Sequence, residues 1–335
     1  MTAATIDKYN QGSPNLTEVS IPKVSPEDVL VKVFAASINP IDLKTKDGKL
    51  KMLLNYRFPL ILGSDFSGVV VETGSKVKAF KVGDSVYGRV QKNRIGTFAE
   101  FISVSQKDIA LKPTNLSFEE AASIPLVGLT SYQALHDIMH VKPGQKVLIQ
   151  AGSGGIGTIA IQIAKQLGAF VATTASQANF ELVKSLGADQ IIDYKNQDFS
   201  ELLCDFDYVF DTQGGKILED AFKIVKEGGK VVSISGIPNK RFALENGLPM
   251  WKKLLLTMAS KNLSKLEKET GIQYVFLFMR PSGEELEILT ELIEQDRIIP
   301  VIDKIFPFDQ IKEAFEEMEE GHAKGKLVVS FYDYN

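Results

Sequence analysis

The segment KVLIQAGSGGIG, from Lys146 to Gly157, joins a short apolar run to a glycine-rich turn. After the turn, apolar residues recur at helical spacing: Ile156, Ile159, Ala160, Ile163, Ala164 and Leu167. A glycine turn between a strand and a helix is typical of a dinucleotide fingerprint, in which amides at the helix start bind the pyrophosphate. We assign Gly152 to the tight turn, Gly154 to close approach of the ligand and Gly157 to helix packing. The alternative is a glycine-rich turn with no ligand, which the flanking strand and helix disfavour.

The same rhythm of apolar strand, turn and amphipathic helix continues beyond this turn. We predict strands at 146–150, 170–174, 190–192, 208–210, 230–234 and 274–278. Alternating strands and helices indicate a parallel sheet covered on both faces, and six strands complete a Rossmann doubly wound sheet. The polar, lysine-rich stretch 238–271 breaks the rhythm, and we predict a loop-and-helix insertion over the cofactor edge there.

The two ends of the chain have a different pattern. Residues 27–110 contain short alternating segments separated by glycine turns, which predicts a small β-rich unit. Near the other end, a helix with Ile311, Ala314, Phe315 and Met318 on one face precedes a strand at 326–331, and we expect this tail to pack on the first unit. A chain of 335 residues exceeds the ~250–300 that one core organises, so the fold class is α/β with two domains.

Composition limits the kinds of partner that the protein is expected to bind and the compartment in which we expect it. The net charge of -4 and the scattered lysines disfavour nucleic acid. Cys204 is the only cysteine, which suits a reducing compartment, and we interpret it as an inert core thiol beside a buried strand. The first residues lack the basic start and apolar core of a signal peptide, and no apolar run reaches ~18 residues. We therefore expect a cytoplasmic protein with no membrane partner.

Four residues at the end of the second predicted strand bear on the choice of cofactor. An Asp or Glu there would bind the ribose hydroxyls of NADH and would repel a 2'-phosphate. This sequence has Thr173-Thr174-Ala175-Ser176 instead. Hydroxyl groups of Thr174 or Ser176 can donate to a phosphate, so we predict NADPH. The alternative is a polar strand end with no role in binding.

The order of these segments resembles the zinc-free medium-chain dehydrogenase/reductases, specifically the zeta-crystallin-like quinone and enone oxidoreductases. The resemblance covers nearly the whole chain and rests on these motifs: ASINPIDLK at 36–44, GSDFSGVVVETG at 63–74, VGDSVYG at 82–88, AGSGGIG at 151–157, KSLGADQIIDY at 184–194, KEGGKVVSISG at 226–236 and HAKGKLVV at 322–329. It implies a GroES-like catalytic domain at 1–122 and 281–335 around a Rossmann domain at 123–280.

The resemblance also bears on metal binding and on the reaction. Zinc alcohol dehydrogenases of this superfamily have zinc ligands at places that Ser37-Ile38-Asn39 and Gly63-Ser64-Asp65 occupy here. Catalytic zinc needs about three protein ligands at one point, and we predict no metal site. Without a Lewis acid, alcohol oxidation is hard. Conjugate reduction needs only donors for the developing enolate or phenolate, so we predict an NADPH-dependent reductase of quinones or α,β-unsaturated carbonyls.

Two residues are candidates for catalysis. The resemblance places Asn39 beside the nicotinamide, where it would donate a hydrogen bond to the substrate carbonyl or to a water; the alternative is a turn-forming Asn before Pro40. Tyr56 is the candidate proton donor, and an exposed packing aromatic is the alternative. Asp42 is interpreted as a helix cap.

The remaining candidates are cofactor contacts that the resemblance implies, besides Gly152, Gly154, Gly157 and Thr174: Thr130, Gly155, Ile156, Ser176, Tyr194, Ser235, Gly236, Phe276, Phe278 and Lys326. One position departs from the family pattern. Many relatives have a Lys three residues after the serine of this element, and here that residue is Asn179. Because a charge-assisted hydrogen bond is about twice as strong as a neutral one, we expect a weaker preference for NADPH.

Two other functions stay open. The chain is alternatively a reductase of enoyl thioesters, although we recognise no basic patch for a carrier protein, or a nicotinamide-binding module with a structural or regulatory role.

We expect a homodimer, because pairing the sixth strand of the Rossmann sheet with a second copy would remove an exposed edge.

Overall fold

The computed structural model describes residues 1–321 and 323–332. The chain forms two compact units. Unit 1 consists of residues 1–129 with the described part of 280–335, and unit 2 consists of residues 130–279. The sequence placed the corresponding boundaries at 122/123 and 280/281.

Unit 1 begins as a β-rich segment. Its elements in chain order are β1 (Thr2–Ile6), β2 (Asn15–Glu18), β3 (Asp28–Ile38), α1 (Pro40–Lys46), β4 (Leu60–Ile61), β5 (Asp65–Thr73), β6 (Ser85–Arg89), β7 (Phe101–Ser105), β8 (Ile109–Leu111), α2 (Phe118–Ala122) and α3 (Pro125–Tyr132), whose last three residues belong to unit 2. The alternation read from the sequence is present in β3, where Val29, Val31 and Val33 are fully buried. This face of β3 forms part of the core of unit 1.

Unit 2 alternates strands and helices. After a π-helical segment (Gln133–Ile138) come β9 (Lys146–Ile149), α4 (Gly155–Gln166), β10 (Phe170–Ala175), α5 (Phe180–Ser185), β11 (Gln190–Asp193), α6 (Phe199–Leu202), β12 (Phe206–Asp211), α7 (Gly215–Ala221), β13 (Val225–Ser233), α8 (Lys240–Glu245), α9 (Met250–Ala259), α10 (Lys261–Thr270) and β14 (Gln273–Phe276). All its strand pairs are parallel, in the order β11-β10-β9-β12-β13-β14. This is the Rossmann order, and it confirms the predicted doubly wound sheet.

The chain then returns to unit 1 through α11 (Gly283–Glu294), β15 (Ile302–Pro307), α12 (Ile311–Glu320) and β16 (Lys326–Ser330). In the described residues the larger sheet of unit 1 has the order β15-β16-β3-β5-β6-β8, with β7 on β3, and a smaller sheet has the order β2-β1-β4. Strand β16 lies antiparallel to β3, with Leu327 opposite Ile38. The tail therefore packs on the first part of the chain, as predicted.

Two regions add to or correct the sequence interpretation. The insertion predicted at 238–271 contains three short helices, α8, α9 and α10. The interpretation of Cys204 as a core thiol is wrong, because its side chain is exposed. Leu203 before it is buried, whereas Cys204 and Asp205 form the outward turn that leads into β12, and Asp205 has a φ of 55°. None of the helices in residues 1–321 and 323–332 combines the length and apolarity that crossing a membrane requires.

Candidate functional site

The glycine turn connects β9 to α4, and its three key glycines differ in the space around them. A Cβ on Gly152 would lie 2.2 Å from Thr173 Oγ1, and a Cβ on Gly157 would lie 2.3 Å from the Ala151 carbonyl oxygen. Packing therefore requires glycine at both positions. A Cβ on Gly154 would have only the Ala151 carbonyl oxygen nearby, at 3.4 Å. Gly154 leaves open space at the turn, which suits the approach of a ligand.

Helix α4 starts directly at this open space. Gly154 is its N-cap residue, with φ -80° and ψ 171°. The amides of Gly155, Ile156 and Gly157 in the first turn have no acceptor within the helix, because the first amides of any helix lack one. No acidic residue lies in this first turn. The helix start therefore presents amide donors and a partial positive charge, the features that bind a pyrophosphate.

Polar side chains in β10 and directly after it contact the glycine turn. Thr174 Oγ1 accepts a hydrogen bond from the Ala151 amide at 2.9 Å, so this buried hydroxyl is part of the turn itself. Asn179 Nδ2 donates to Ser153 Oγ at 3.0 Å and to Ser176 Oγ at 3.3 Å. We call Ser153, Ser176 and Asn179 the Asn179 cluster. It contains hydroxyl and amide groups and no carboxylate.

One atom of the Asn179 cluster lacks a partner. Asn179 Oδ1 is buried and accepts no hydrogen bond. A buried acceptor without a donor destabilises a protein by about 1–3 kcal/mol. A hydroxyl of an adenosine ribose is a donor of the kind that would satisfy it. The unpartnered oxygen of Asn179 and the open glycine turn therefore both fit a bound dinucleotide.

A second turn of unit 2 is organised by two residues that the sequence reasoning missed. Asp211 Oδ1 accepts a hydrogen bond from the Gly214 amide at 2.9 Å, and Ser233 Oγ donates to the carboxylate of Asp211. Ser233 Oγ in turn accepts from the Gly236 amide at 2.8 Å and the Ser235 amide at 3.2 Å. Burial raises the pKa of Asp211. The signal available in the sequence was an Asp that directly follows the strand predicted at 208–210 and precedes a Gly-Gly pair at 214–215.

The other candidates in unit 2 have diverse surroundings. Phe276 packs edge-on against Phe242, with ring centroids 5.2 Å apart, and Phe278 lies 6.2 Å from the same ring. Tyr194 follows β11 and is 60% exposed, whereas Thr130 is 3% exposed. The two phenylalanines therefore share one aromatic cluster, and Tyr194 presents a ring at the surface.

In unit 1, Asn39 and Lys326 belong to one buried cluster. Lys326 Nζ donates to Asn39 Oδ1 and, at 3.1 Å, to the Ile38 carbonyl oxygen. It also lies 3.8 Å from Asp65 Oδ2. Asn39 Nδ2 donates to Asp65 Oδ2 at 3.0 Å and to the Ser37 carbonyl oxygen at 3.3 Å. The pairing of β16 with β3 positions these groups, and we call them, together with Asp42, the Lys326 cluster.

The hydrogen-bonding groups of Asn39 are occupied within this cluster. Both of its amide hydrogens have protein acceptors, and its amide oxygen accepts from Lys326. Asn39 and Lys326 are 1% and 4% exposed. Donation by Asn39 to a substrate carbonyl would therefore require the loss of a buried hydrogen bond.

Asp42 is a helix cap, as predicted. Its Oδ2 accepts from the Asn39 backbone amide at 2.9 Å at the start of α1, and its Oδ1 accepts from Ser64 Oγ at 3.1 Å. Burial raises the pKa of Asp42 to about 7, and the nearby carboxyl of Asp65 adds to the effect. No pattern in the sequence indicated that this cap is fully buried among other charged groups.

Tyr56 is half-buried and already has an acceptor. Its hydroxyl donates to the Lys92 carbonyl oxygen at 2.6 Å. Burial raises the pKa of Tyr56 to about 12, so the phenol stays protonated near neutral pH. Burial and the charge of Arg89 lower the pKa of Lys92 to about 7. Lys92 is thus a second group able to supply a proton at neutral pH, and no sequence motif had singled it out.

The residues at the places of the zinc ligands do not fit a zinc ion. Ser37 Oγ donates to Asp65 Oδ2 at 2.9 Å, and the same carboxylate oxygen lies beside the Lys326 ammonium, which would repel a divalent cation. In the part of the chain that the structure describes, no group of three or more His, Cys, Asp or Glu side chains is placed to hold a metal. His322 lies outside the described residues.

Comparisons with known proteins agree on one family. Residues 25–114 match the family described as an alcohol dehydrogenase GroES-like domain, and residues 186–329 match the one described as a zinc-binding dehydrogenase. The chain is 36% identical to the mitochondrial NAD(P)H oxidoreductase RTN4IP1 of Bos taurus, over 98% of this chain and 89% of that protein. It is 35% identical to the chloroplastic NADPH-dependent alkenal/one oxidoreductase of Arabidopsis thaliana, over 93% of this chain and 74% of that protein.

A solved structure extends this similarity to the fold. The quinone oxidoreductase of Coxiella burnetii superposes with a TM-score of 0.84 and is 35% identical, and the match covers 99% of each chain. Both the β-rich part and the Rossmann part of the fold are therefore present in a structure of clearly related sequence.

Proposed function

Because the chain belongs to the zinc-free quinone and enone oxidoreductases among the medium-chain dehydrogenase/reductases, we propose that it reduces quinones or α,β-unsaturated carbonyls with NADPH. In this reaction a hydride reaches the quinone or the β-carbon of the activated C=C bond, and a proton completes the product. The enzyme is an oxidoreductase that acts on small molecules.

The observation that carries the proposal is the open glycine turn. Gly154 has no packing reason to lack a side chain, and the helix that starts there presents free amides. When bound, NADPH supplies the hydride. The amides of Gly155 and Ile156 would hold its pyrophosphate, and the Asn179 cluster would contact the adenosine ribose and its phosphate.

Catalysis without zinc follows from the groups in unit 1. The developing enolate or phenolate needs a hydrogen-bond donor and a proton, and it needs no Lewis acid. We propose Tyr56 and Lys92 as the candidate proton donors, and Tyr56 would first have to leave the Lys92 carbonyl oxygen. We propose that Asn39 acts as a positioning residue, because its side chain joins Lys326 and Asp65.

A substrate panel tests the proposal. Purified protein is assayed with NADPH and with NADH against a quinone, a 2-alkenal, a cyclic enone and a 2-enoyl thioester, and cofactor binding is measured in parallel. We expect turnover of the quinone or of an enone with NADPH, and a higher kcat/KM with NADPH than with NADH. Tight NADPH binding without turnover of any compound would instead support a binding module. Preference for the thioester would support the enoyl-thioester alternative.

We also propose a homodimer and a cytoplasmic location. In unit 2, which is described completely, β14 ends the order of the sheet, so its outer edge is available for pairing with a second copy. Sedimentation velocity measures the mass directly, and a monomer at micromolar concentration would contradict the dimer. The RTN4IP1 of Bos taurus is a mitochondrial protein and the alkenal/one oxidoreductase of Arabidopsis thaliana is chloroplastic, so fractionation of the native cells is the measurement that decides the compartment.

A further inference from the structure

Helix α9 (Met250–Ala259) is apolar in sequence and yet has no buried residue. Its large apolar side chains are strongly exposed: Met250 78%, Trp251 56%, Leu254 62%, Leu255 46% and Met258 66%. Scattered single apolar residues are normal on a surface, but a contiguous group of this size marks an interaction site. The helix contacts α8 and α10 and leaves this group uncovered.

The exposed residues of α9 lie on one side of the helix. At 3.6 residues per turn they fall within an arc of about 140°. Lys252 and Lys253 project about 60° beyond the two ends of this arc, so a lysine flanks the apolar side on each edge. Lys252 Nζ lies 5.4 Å from the ring centroid of Trp251. An apolar arc with Trp and flanking lysines is typical of a helix that lies in a membrane interface.

The net charge of the residues around α9 is positive, whereas the net charge of the whole chain is negative. Between residues 239 and 261 there are five basic residues and one acidic residue, whereas the whole chain has a net charge of -4. The basic residues are Lys240, Arg241, Lys252, Lys253 and Lys261, and the acidic residue is Glu245. Arg241 is paired with Glu267 of α10 at 3.4 Å. The segment as a whole carries an excess of positive charge.

The positive charge around α9 distinguishes between two partners for its apolar side, a second copy of the chain and an anionic surface. A symmetric dimer through α9 would place the same patch against itself and would bring the lysines of both copies together. An anionic surface would attract them instead, at short range. The charge therefore favours an anionic partner over a second copy.

We propose that α9 binds the surface of a membrane that contains anionic lipids. The side chains of Trp251, Leu254 and Met258 enter the boundary between headgroups and acyl chains, and Lys252 and Lys253 contact the phosphates. This is peripheral attachment and needs no spanning helix. It differs from the absence of a membrane partner expected from the sequence, and it is independent of the reductase activity.

Trp251 makes the proposal directly measurable, because it is the only tryptophan in the chain. The full-length protein is mixed with vesicles of phosphatidylcholine alone or of phosphatidylcholine with phosphatidylglycerol. We expect Trp emission to shift to shorter wavelength and the protein to co-sediment with the anionic vesicles, both effects weakening as salt is raised. No shift with anionic vesicles, or equal binding to neutral ones, overturns the proposal.

Variants separate the contributions of charge and apolar contact. Lys252→Gln with Lys253→Gln should weaken partitioning about thirtyfold, from roughly fivefold per charge near an anionic surface. Leu254→Ser with Met258→Ser should also weaken it, while both double variants retain Trp251. The exposed lysines Lys76 and Lys78 supply the matched control, since their change to Gln should leave binding unaltered.

Two further measurements separate membrane binding from a damaged enzyme and from self-association. Reduction of a soluble enone should be unchanged in all variants, because none of these residues belongs to the glycine turn, the Asn179 cluster or the Lys326 cluster. Sedimentation velocity without vesicles tests the second copy as the occupant. A concentration-dependent dimer that Leu254→Ser with Met258→Ser abolishes, together with a Trp shift on dimerisation, would overturn the membrane proposal.

Discussion

The glycine turn of unit 2 depends on residues that have no side chain, whereas the Lys326 cluster of unit 1 depends on buried charged side chains that contact one another. In the turn, Gly152 and Gly157 are glycine because neighbouring atoms leave no space, and Gly154 is glycine although space is available. In the cluster, Lys326 and Asp65 are 4% and 0% exposed. A substitution at Gly154 can therefore act on ligand binding alone, but a substitution in the cluster acts first on stability.

The largest effect is expected from Lys326→Met. Removal of the ammonium leaves Asp65 and the Asn39 amide oxygen buried without their partner, and breaking a buried ion pair in this way costs about 3–5 kcal/mol. Chemical denaturation followed by circular dichroism measures the loss. Lys216→Met is the control, because Lys216 is 71% exposed and its helix pair with Asp220 is worth only about 0.3–0.5 kcal/mol. Equal losses in the two variants would show that the cluster is not a buried charge network.

The turn is tested by a pair of glycine variants. Gly154→Val should keep the fold, because a side chain there meets little, and should weaken NADPH binding by at least about 100-fold, or ~2.7 kcal/mol. Gly157→Ala should instead lower stability by about 1–3 kcal/mol, because its Cβ would collide with backbone. Calorimetric titration and thermal denaturation of both variants distinguish these outcomes. Normal NADPH binding by Gly154→Val would remove the turn from the site.

A smaller effect is expected at the Asn179 cluster. Asn179→Lys should lower the KM for NADPH by about tenfold and should not lower the KM for NADH, since an ammonium adds a charge-assisted bond to the 2'-phosphate only. Gln177→Lys is the matched control, because it adds the same charge at an exposed position two residues earlier. If the control improves NADPH use equally, the effect is one of general charge and not of position.

The last predicted effect concerns the pH dependence of stability in the Lys326 cluster. The pKa of Asp42 is about 7 in the folded state and about 4 when unfolded. Its protonation thus contributes stability that is complete below about pH 4 and is lost as the pH rises through 7. Asp42→Asn should flatten the decline in the free energy of unfolding between pH 4 and 7. The exposed Asp309→Asn should leave the decline unchanged, and a parallel decline in both variants would contradict the assignment.

Local patterns in the sequence were sufficient to predict the strands of the unit 2 sheet. Strands were predicted at 146–150 and 170–174, and β9 and β10 occupy 146–149 and 170–175. Each depends on a few consecutive apolar residues and on a turn with a defined backbone, and the order of the sheet follows from the alternation of strands and helices. The resemblance to the zinc-free quinone and enone oxidoreductases is likewise confirmed.

The Lys326 cluster could not be predicted from local patterns in the sequence. Asn39 and Lys326 are 287 residues apart, and they meet only because β16 pairs with β3 in one register. The sequence assigned them separate roles, and it took Cys204 for a core residue from a neighbouring apolar run. Burial and hydrogen-bond partners are properties of the assembled fold, and a local pattern contains no information on them.

The position of β16 also bears on the order of events during synthesis. All strands of the unit 2 sheet have been synthesised once the ribosome reaches residue 276. In contrast, β16, which pairs with β3 in unit 1, is complete only at residue 330. Until then, Asp65 has no ammonium beside it, and residues 35–38 of β3 lack the strand that pairs with them in the folded protein. Because domains fold as units as the chain emerges, we expect the nascent protein to complete its nucleotide-binding half first. The last strand made thus closes the sheet that the first hundred residues began.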